Sequence, residues 1–244
     1  MGIDIILGAL LVLFATSAGA AVVLFFGCMD DRRNAAMLAF AAGAMAYSAM
    51  EMLSEAHATS GDFEMLAGFA VGIGVLMLSE KFLPHVHQHI TREELAHSKK
   101  KVILIGGAIA IHNIPEGLAV ATAFAASNPL GWFVATTIAI QDVPEGLLIA
   151  APLACYGMSK GKAMLFGILS GVAEAAAALI GFMFLSAFAP IIPGALAFSA
   201  GAMAYVVLVE LMPDAFAKGM ERMGAVAFVA GAALAFGIAA LVMA

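Results

Sequence analysis

The chain has 244 residues, of which 64% are hydrophobic and 11% charged, with a mean hydropathy of +1.04. A soluble domain carries roughly 45–50% apolar and about 25% charged residues, so soluble enzymes and nucleic-acid binders are excluded. The net charge of −6, from 17 acidic and 11 basic residues, informs only once the charges are sorted by position.

A transmembrane helix needs about 20 apolar residues, and eight such runs follow one another with short connections. The first covers 3–27 and ends in Cys28-Met29-Asp30-Asp31-Arg32-Arg33. It starts with Asp4, lacks a basic n-region and is too long for an h-region, so no cleaved signal peptide is expected. The second covers 34–54 and the third 63–82, followed by a polar loop over about 84–100, the longest in the chain. The fourth covers 101–125, and Asn128-Pro129 turns into the fifth, 130–155. The sixth covers 163–188, Pro190 and Pro193 break it, and the seventh and eighth cover 194–216 and 223–243. The prediction is an all-α, polytopic membrane protein of eight helices, one transmembrane domain over 1–244.

Arg32 and Arg33 lie between spans one and two; Lys81, Arg92, Lys99, Lys100 and Lys101 between three and four. Lys160 and Lys162 lie between five and six, Lys218 and Arg222 between seven and eight. All 11 basic residues thus fall on one side. By the positive-inside rule that side is cytoplasmic and both termini are outside. Cys28 and Cys155 then sit at cytoplasmic helix ends, where thiols stay reduced, so two lone thiols and no disulfide are expected.

Phe40-Ala41-Ala42-Gly43-Ala44-Met45-Ala46-Tyr47 recurs as Phe198-Ser199-Ala200-Gly201-Ala202-Met203-Ala204-Tyr205. His112-Asn113-Ile114-Pro115-Glu116-Gly117-Leu118 recurs as Gln141-Asp142-Val143-Pro144-Glu145-Gly146-Leu147. Each pair lies on oppositely directed spans, the mark of an inverted-topology repeat with a substrate site near the midplane.

Acidic residues at bilayer depth cost about 3 kcal/mol each and mark function. Glu116, Asp142, Glu145 and Glu174 lie mid-span, and Glu210 lies in span seven nearer its cytoplasmic end, with no Lys or Arg at these depths. His112, Asn113 and Glu116 share one helix face by their spacing, and Gln141, Asp142 and Glu145 repeat that geometry. Pro115 and Pro144 cannot donate to the carbonyls of Ile111 and Ile140, which kinks the helices and frees two oxygens. Gly117 and Gly146 permit close backbone approach. Carboxylate, imidazole and amide oxygen without thiolate suit Zn, Fe, Mn or Cd better than Cu(I). The four mid-span acids sum to −4 when ionised, which two divalent ions neutralise; metal entry is expected to release protons.

The paired motifs, 29 residues apart, together with eight spans and external termini, resemble the ZIP family of divalent metal transporters over essentially the whole chain. The resemblance implies import of Zn²⁺ and related ions into the cytoplasm across the cell (inner) membrane, by alternating access of one helix group against another. It implies one metal site formed by His112, Glu116, Gln141 and Glu145. A second is implied at Asn113, Glu116, Asp142, Glu145 and Glu174, with shared carboxylates making a binuclear centre. Asp142 stands where many members have Asn, which fits the binuclear branch. Glu210 matches a carboxylate on the family's cytoplasmic release route, beside Val209, which is His in some relatives. Homodimers occur in the family, so a second copy is an implied partner, with the bilayer and the metal ions; no catalytic cofactor is expected.

His85, His87, His89 and His97 lie in the long loop, where alternate histidines suit a weak, flexible metal site and the family often carries a His-rich segment. Glu55, His57, Asp62 and Glu64 gather at the outer ends of spans two and three and would concentrate cations there. Met45 and Met203 are assigned to packing. Two other classes compete with a metal transporter. An intramembrane metal-dependent hydrolase wants H-E-x-x-H, but His112 has Glu116, not a second His, four residues on. A proton-coupled transporter of another solute leaves His112, Asn113 and Gln141 unexplained.

Overall fold

A computed structural model describes residues 2–26, 29–82, 99–155, 157–217 and 219–244, without the side chains of 80–82 and 99–112. Its long helices are α1 (Gly2–Ala21, extended by a 3-10 turn, Val22–Leu24), α2 (Asp31–Ser60), α3 (Asp62–Phe82) and α4 (Lys99–Ala126). They continue as α5 (Asn128–Cys155), α6 (Lys160–Ala187), α7 (Ile192–Tyr205) and α8 (Glu221–Val242). No strand occurs among the described residues. Seven of these segments are long and apolar enough to cross a membrane, and α4 has 28 residues, about 42 Å at helical rise.

Each start and stop has a local cause. Asp30 caps α2, its Oδ1 accepting from the Arg33 amide at 2.7 Å. That helix runs six residues beyond the expected 34–54 because no breaker intervenes before Gly61, whose φ of 85° ends it. Ser127 receives the Leu130 amide at the start of α5. Pro193 falls in the first turn of α7, where its missing N–H costs nothing. Pro115 and Pro144 lie inside α4 and α5, which continue helical through them. After Tyr205, α7 widens into a π-helix, Val206–Leu211, before a last turn, Met212–Ala215.

The helices form two bundles, α1 with α4, α5 and α6, and α2 with α3, α7 and α8, meeting along α2–α5 and α4–α7. Helices in lipid associate by van der Waals packing, which favours small residues at the seam, and glycines occupy the tightest points here. A Cβ on Gly43 would stand 2.0 Å from the Phe228 carbonyl oxygen, and one on Gly231 2.0 Å from that of Phe40. The same reciprocal contact joins α3 and α7: Gly72 against Phe198 at 2.1 Å and Gly201 against Phe69 at 2.2 Å. Phe40 and Gly43 are the repeat mates of Phe198 and Gly201, so the seam α2–α8 maps onto α7–α3. The inverted repeat is therefore a packing symmetry as well as a sequence resemblance. Phe124 of α4 fills the space left by Gly8 of α1 and Gly131 of α5, edge-on to Trp132 at 5.6 Å. Met45 and Met203 are fully buried in this core. Phe14, Phe63, Ile180, Phe184, Val226 and Leu241 are exposed, a surface that only lipid solvates well.

Lys160 at the start of α6 donates to the Leu24 carbonyl after α1, at 3.1 Å. Glu64 at the start of α3 lies 3.3 Å from a Cβ built on Gly194 at the start of α7. Odd-numbered helices thus start at one face and end at the other, as the charge pattern requires. The cysteines correct the expectation of two lone thiols: Cys155 is disulfide-bonded. The end of α5, which carries Cys155, packs against the 3-10 turn that follows α1. The other cysteine, Cys28, lies outside the described residues.

Candidate metal centre

The first bundle converges on its own polar middle. Glu116 of α4 and Asp142 and Glu145 of α5 bring carboxylate oxygens within 4.8 Å of one another. Glu174 of α6 is buried beside them, with Asn113, Glu116, Gln141 and Asp142 all at 2% exposure or less. Glu145 is half-buried. The approach is set by glycine: a Cβ on Gly117 would stand 2.2 Å from the Glu174 carbonyl oxygen, and one on Gly146 2.1 Å from that of Thr16. The two Pro-Glu-Gly motifs thus seat α4 against α6 and α5 against α1.

Few hydrogen bonds hold these groups. Gln141 Nε2 donates to Glu116 Oε1 at 3.2 Å. Ser170 Oγ donates to Asn113 Oδ1 at 2.7 Å, not to Glu174, four residues on in its own helix. Thr16 Oγ1 lies 2.9 Å from the Val12 carbonyl and 3.4 Å from Glu174 Oε2. Asn113 Nδ2, Glu116 Oε2, Gln141 Oε1, both Asp142 oxygens and Glu174 Oε1 are buried without a partner among the described residues. Each orphaned buried group costs about 1–3 kcal/mol, which favours a bound cation over helix packing as the role of the cluster. Five of the six orphans are oxygens, the donor set that a divalent cation satisfies.

The other expected residues divide. Glu210 lies on the π-helix of α7, half-buried, within Coulomb range of Glu116. The π register, in which the Met212 amide reaches back to the Val207 carbonyl, has no clear mark in the sequence; Pro213, just beyond, is the only local signal of irregularity. The side chain of His112 and all of His85, His87, His89 and His97 lie outside the described residues. At the outer face Glu55 and His57 belong to the extended α2, not to a loop. His57 Nδ1 pairs with Asp62 Oδ1 at 3.1 Å, both more than half exposed.

Three polar residues fall outside the motifs. Glu51, on α2, accepts the Tyr47 hydroxyl, a pair readable from its four-residue spacing. The four-residue spacing of Ser170 points to Glu174, not to the Asn113 it serves, and no spacing rule ties Thr16 to the carboxylates.

Residues 85–240 match the family described as ZIP zinc transporter. The chain is 38% identical over 165 residues to the zinc transporter GufA of Myxococcus xanthus, covering 67% of this chain and 65% of that protein. To the zinc transporter ZIP11 of Xenopus tropicalis it is 47% identical over 141 residues, 53% of this chain and 42% of that one. The chain thus spans just under two thirds of the first relative and less than half of the second. The zinc transporter ZupT of Corynebacterium aurimucosum aligns over 238 residues at 34% identity, covering 90% of both chains. With a family match over more than half its length and a relative aligned nearly end to end, the chain belongs to the ZIP zinc transporter family.

Proposed function

We propose that this protein is a transporter, not an enzyme, and that it imports divalent transition metals, foremost zinc, into the cytoplasm across the cell (inner) membrane. The observation that carries the reading is the set of buried, unpartnered oxygens on Asn113's neighbours Glu116, Gln141, Asp142 and Glu174, gathered midway along helices of membrane-spanning length. Cadmium, iron and manganese share the ligand preferences involved and are secondary substrates. His112, Glu116, Gln141 and Glu145 would hold one ion. Asn113, Glu116, Asp142, Glu145 and Glu174 would hold the second. The basic residues place both termini outside, so α4 and α6 run from the cytoplasm outward and α5 returns. The two bundles supply units for alternating access, meeting mainly along the seams α2–α5 and α4–α7, with a smaller contact between α5 and α8. Glu210 would take the ion on its way to the cytoplasm, and the histidines of the 84–100 loop would receive it there. Assembly as a homodimer completes the reading.

Uptake of radiolabelled zinc into proteoliposomes tests it. Accumulation above empty vesicles is expected, and failure to take up zinc, cadmium, iron and manganese alike would end the reading. Asp142→Asn tests the second ion: zinc retained by purified protein should fall from about two ions per chain to about one, since one of four acids is lost. Elemental analysis measures it, and an unchanged ratio removes Asp142 from the site.

A further inference from the structure

Thr16 is fully buried in α1, a largely apolar helix that lies outside the two motifs in sequence. Its hydroxyl has one proton and three acceptors in reach: the Val12 carbonyl at 2.9 Å, Glu174 Oε2 at 3.4 Å and the Asp142 carboxylate. The Val12 carbonyl already lies one helical turn back, where it accepts from the Thr16 amide, so it loses little if the hydroxyl turns away. A bond to an ionised carboxylate is about twice as strong as one to a neutral carbonyl, which favours the turn toward Glu174.

The packing symmetry points to the same residue. Gly117 packs on α6 so closely that a Cβ there would stand 2.2 Å from the Glu174 carbonyl oxygen and 3.0 Å from the Ala178 amide nitrogen. On its repeat mate Gly146 a Cβ would stand 2.1 Å from the Thr16 carbonyl oxygen and 2.8 Å from the Ala20 amide nitrogen. Thr16 therefore occupies in the first half of the protein the position that Glu174 occupies in the second. Gly171 of α6 leaves the room for it: a Cβ there would stand 3.0 Å from the Thr16 Cβ.

On the reading of this cluster as a metal centre, we propose that Thr16 is its positioning residue. Its hydroxyl holds Glu174 Oε2, so that Oε1, which has no other partner, is presented to the cation. A neutral oxygen at this symmetric position also keeps the mid-membrane acids at the number that two divalent ions balance.

The test uses the full-length protein with Thr16→Val, which keeps the shape without the hydroxyl, and Thr16→Ser, which keeps the hydroxyl. Zinc affinity in detergent is measured by competition with a chromophoric chelator, and uptake in proteoliposomes supplies KM and maximal rate. Thr16→Val is expected to weaken zinc binding and raise KM by about 10-fold, the low end for residues that orient a metal ligand. Thr16→Ser should stay close to the unsubstituted protein. A residue needed only for packing predicts the reverse order, Val tolerated and Ser impaired, and that result overturns the proposal, as does wild-type affinity in Thr16→Val. If Glu174→Gln weakens zinc binding while Thr16→Val does not, the role of Thr16 alone is refuted. If the unsubstituted protein binds no zinc, the metal centre falls with it.

Discussion

Glu116→Ala is expected to reduce zinc uptake to the level of empty vesicles, a loss of at least about 100-fold, beyond the range for residues that merely orient ligands. Glu116 belongs to both proposed ion positions, is 2% exposed, and keeps one oxygen on Gln141 while the other has no partner. Its carboxylate lies within 4.8 Å of those of Asp142 and Glu145, and on the proposed ligand sets its loss weakens both ion positions at once. Glu116→Gln keeps the volume and removes the charge, and it should fail as completely. Misfolding is separable from loss of function here, because removing one of several crowded, buried acids relieves desolvation and repulsion. The variant should unfold no earlier than the unsubstituted protein. Uptake by Glu116→Gln at half the normal rate or more would show that charge at this position is dispensable.

Gly146→Ala and Gly117→Ala, like Gly19→Ala against the Val143 carbonyl, should be among the most destabilising single-methyl changes in the first bundle. The added carbon would stand 2.1 and 2.2 Å from backbone oxygens of Thr16 and Glu174, less than any real contact, and backbone cannot swing aside as a side-chain tip can. Ordinary overpacking costs about 1–3 kcal/mol, and the top of that range or beyond is expected. Displacement of α6 from α4 also carries Glu174 away from Asn113 and Glu116, so zinc affinity should fall together with stability. Gly74→Ala and Gly237→Ala are the matched controls: nothing lies within 4 Å of the added carbon at either. Alanine there should hold or raise the melting temperature in detergent. Equal melting temperatures for all four variants would show that the seams tolerate expansion.

Most of the fold is legible in the order of the residues. Eight apolar runs fall within a few residues of eight helices, because a membrane span must satisfy its backbone internally and must be long enough to cross. The differences arise where a local cause overrides hydropathy. The helix α2 continues into polar residues until Gly61 stops it, and Pro213 lies just beyond a π-helix within α7. The paired Pro-Glu-Gly motifs announce Glu116, Asp142 and Glu145 as neighbours, since spacing along a helix decides which residues share a face. The disulfide at Cys155 is not legible, because compartment arguments say nothing about which helix ends meet.

The sequence by itself determined the membrane class, the helix count, the sidedness of the basic residues, the repeat and the acids at depth. Each of these is a property of one segment or of its neighbours along the chain, which transfer free energies and helical periodicity read directly. Only the tertiary structure decided which backbones touch at Gly117 and Gly146. It alone decided that Ser170 serves Asn113 and that a threonine of the first helix reaches the carboxylates. Those facts depend on contacts between residues as far apart as Thr16 and Glu174, separated by 158 positions. Side-chain packing between helices sets such contacts, and no local pattern encodes them.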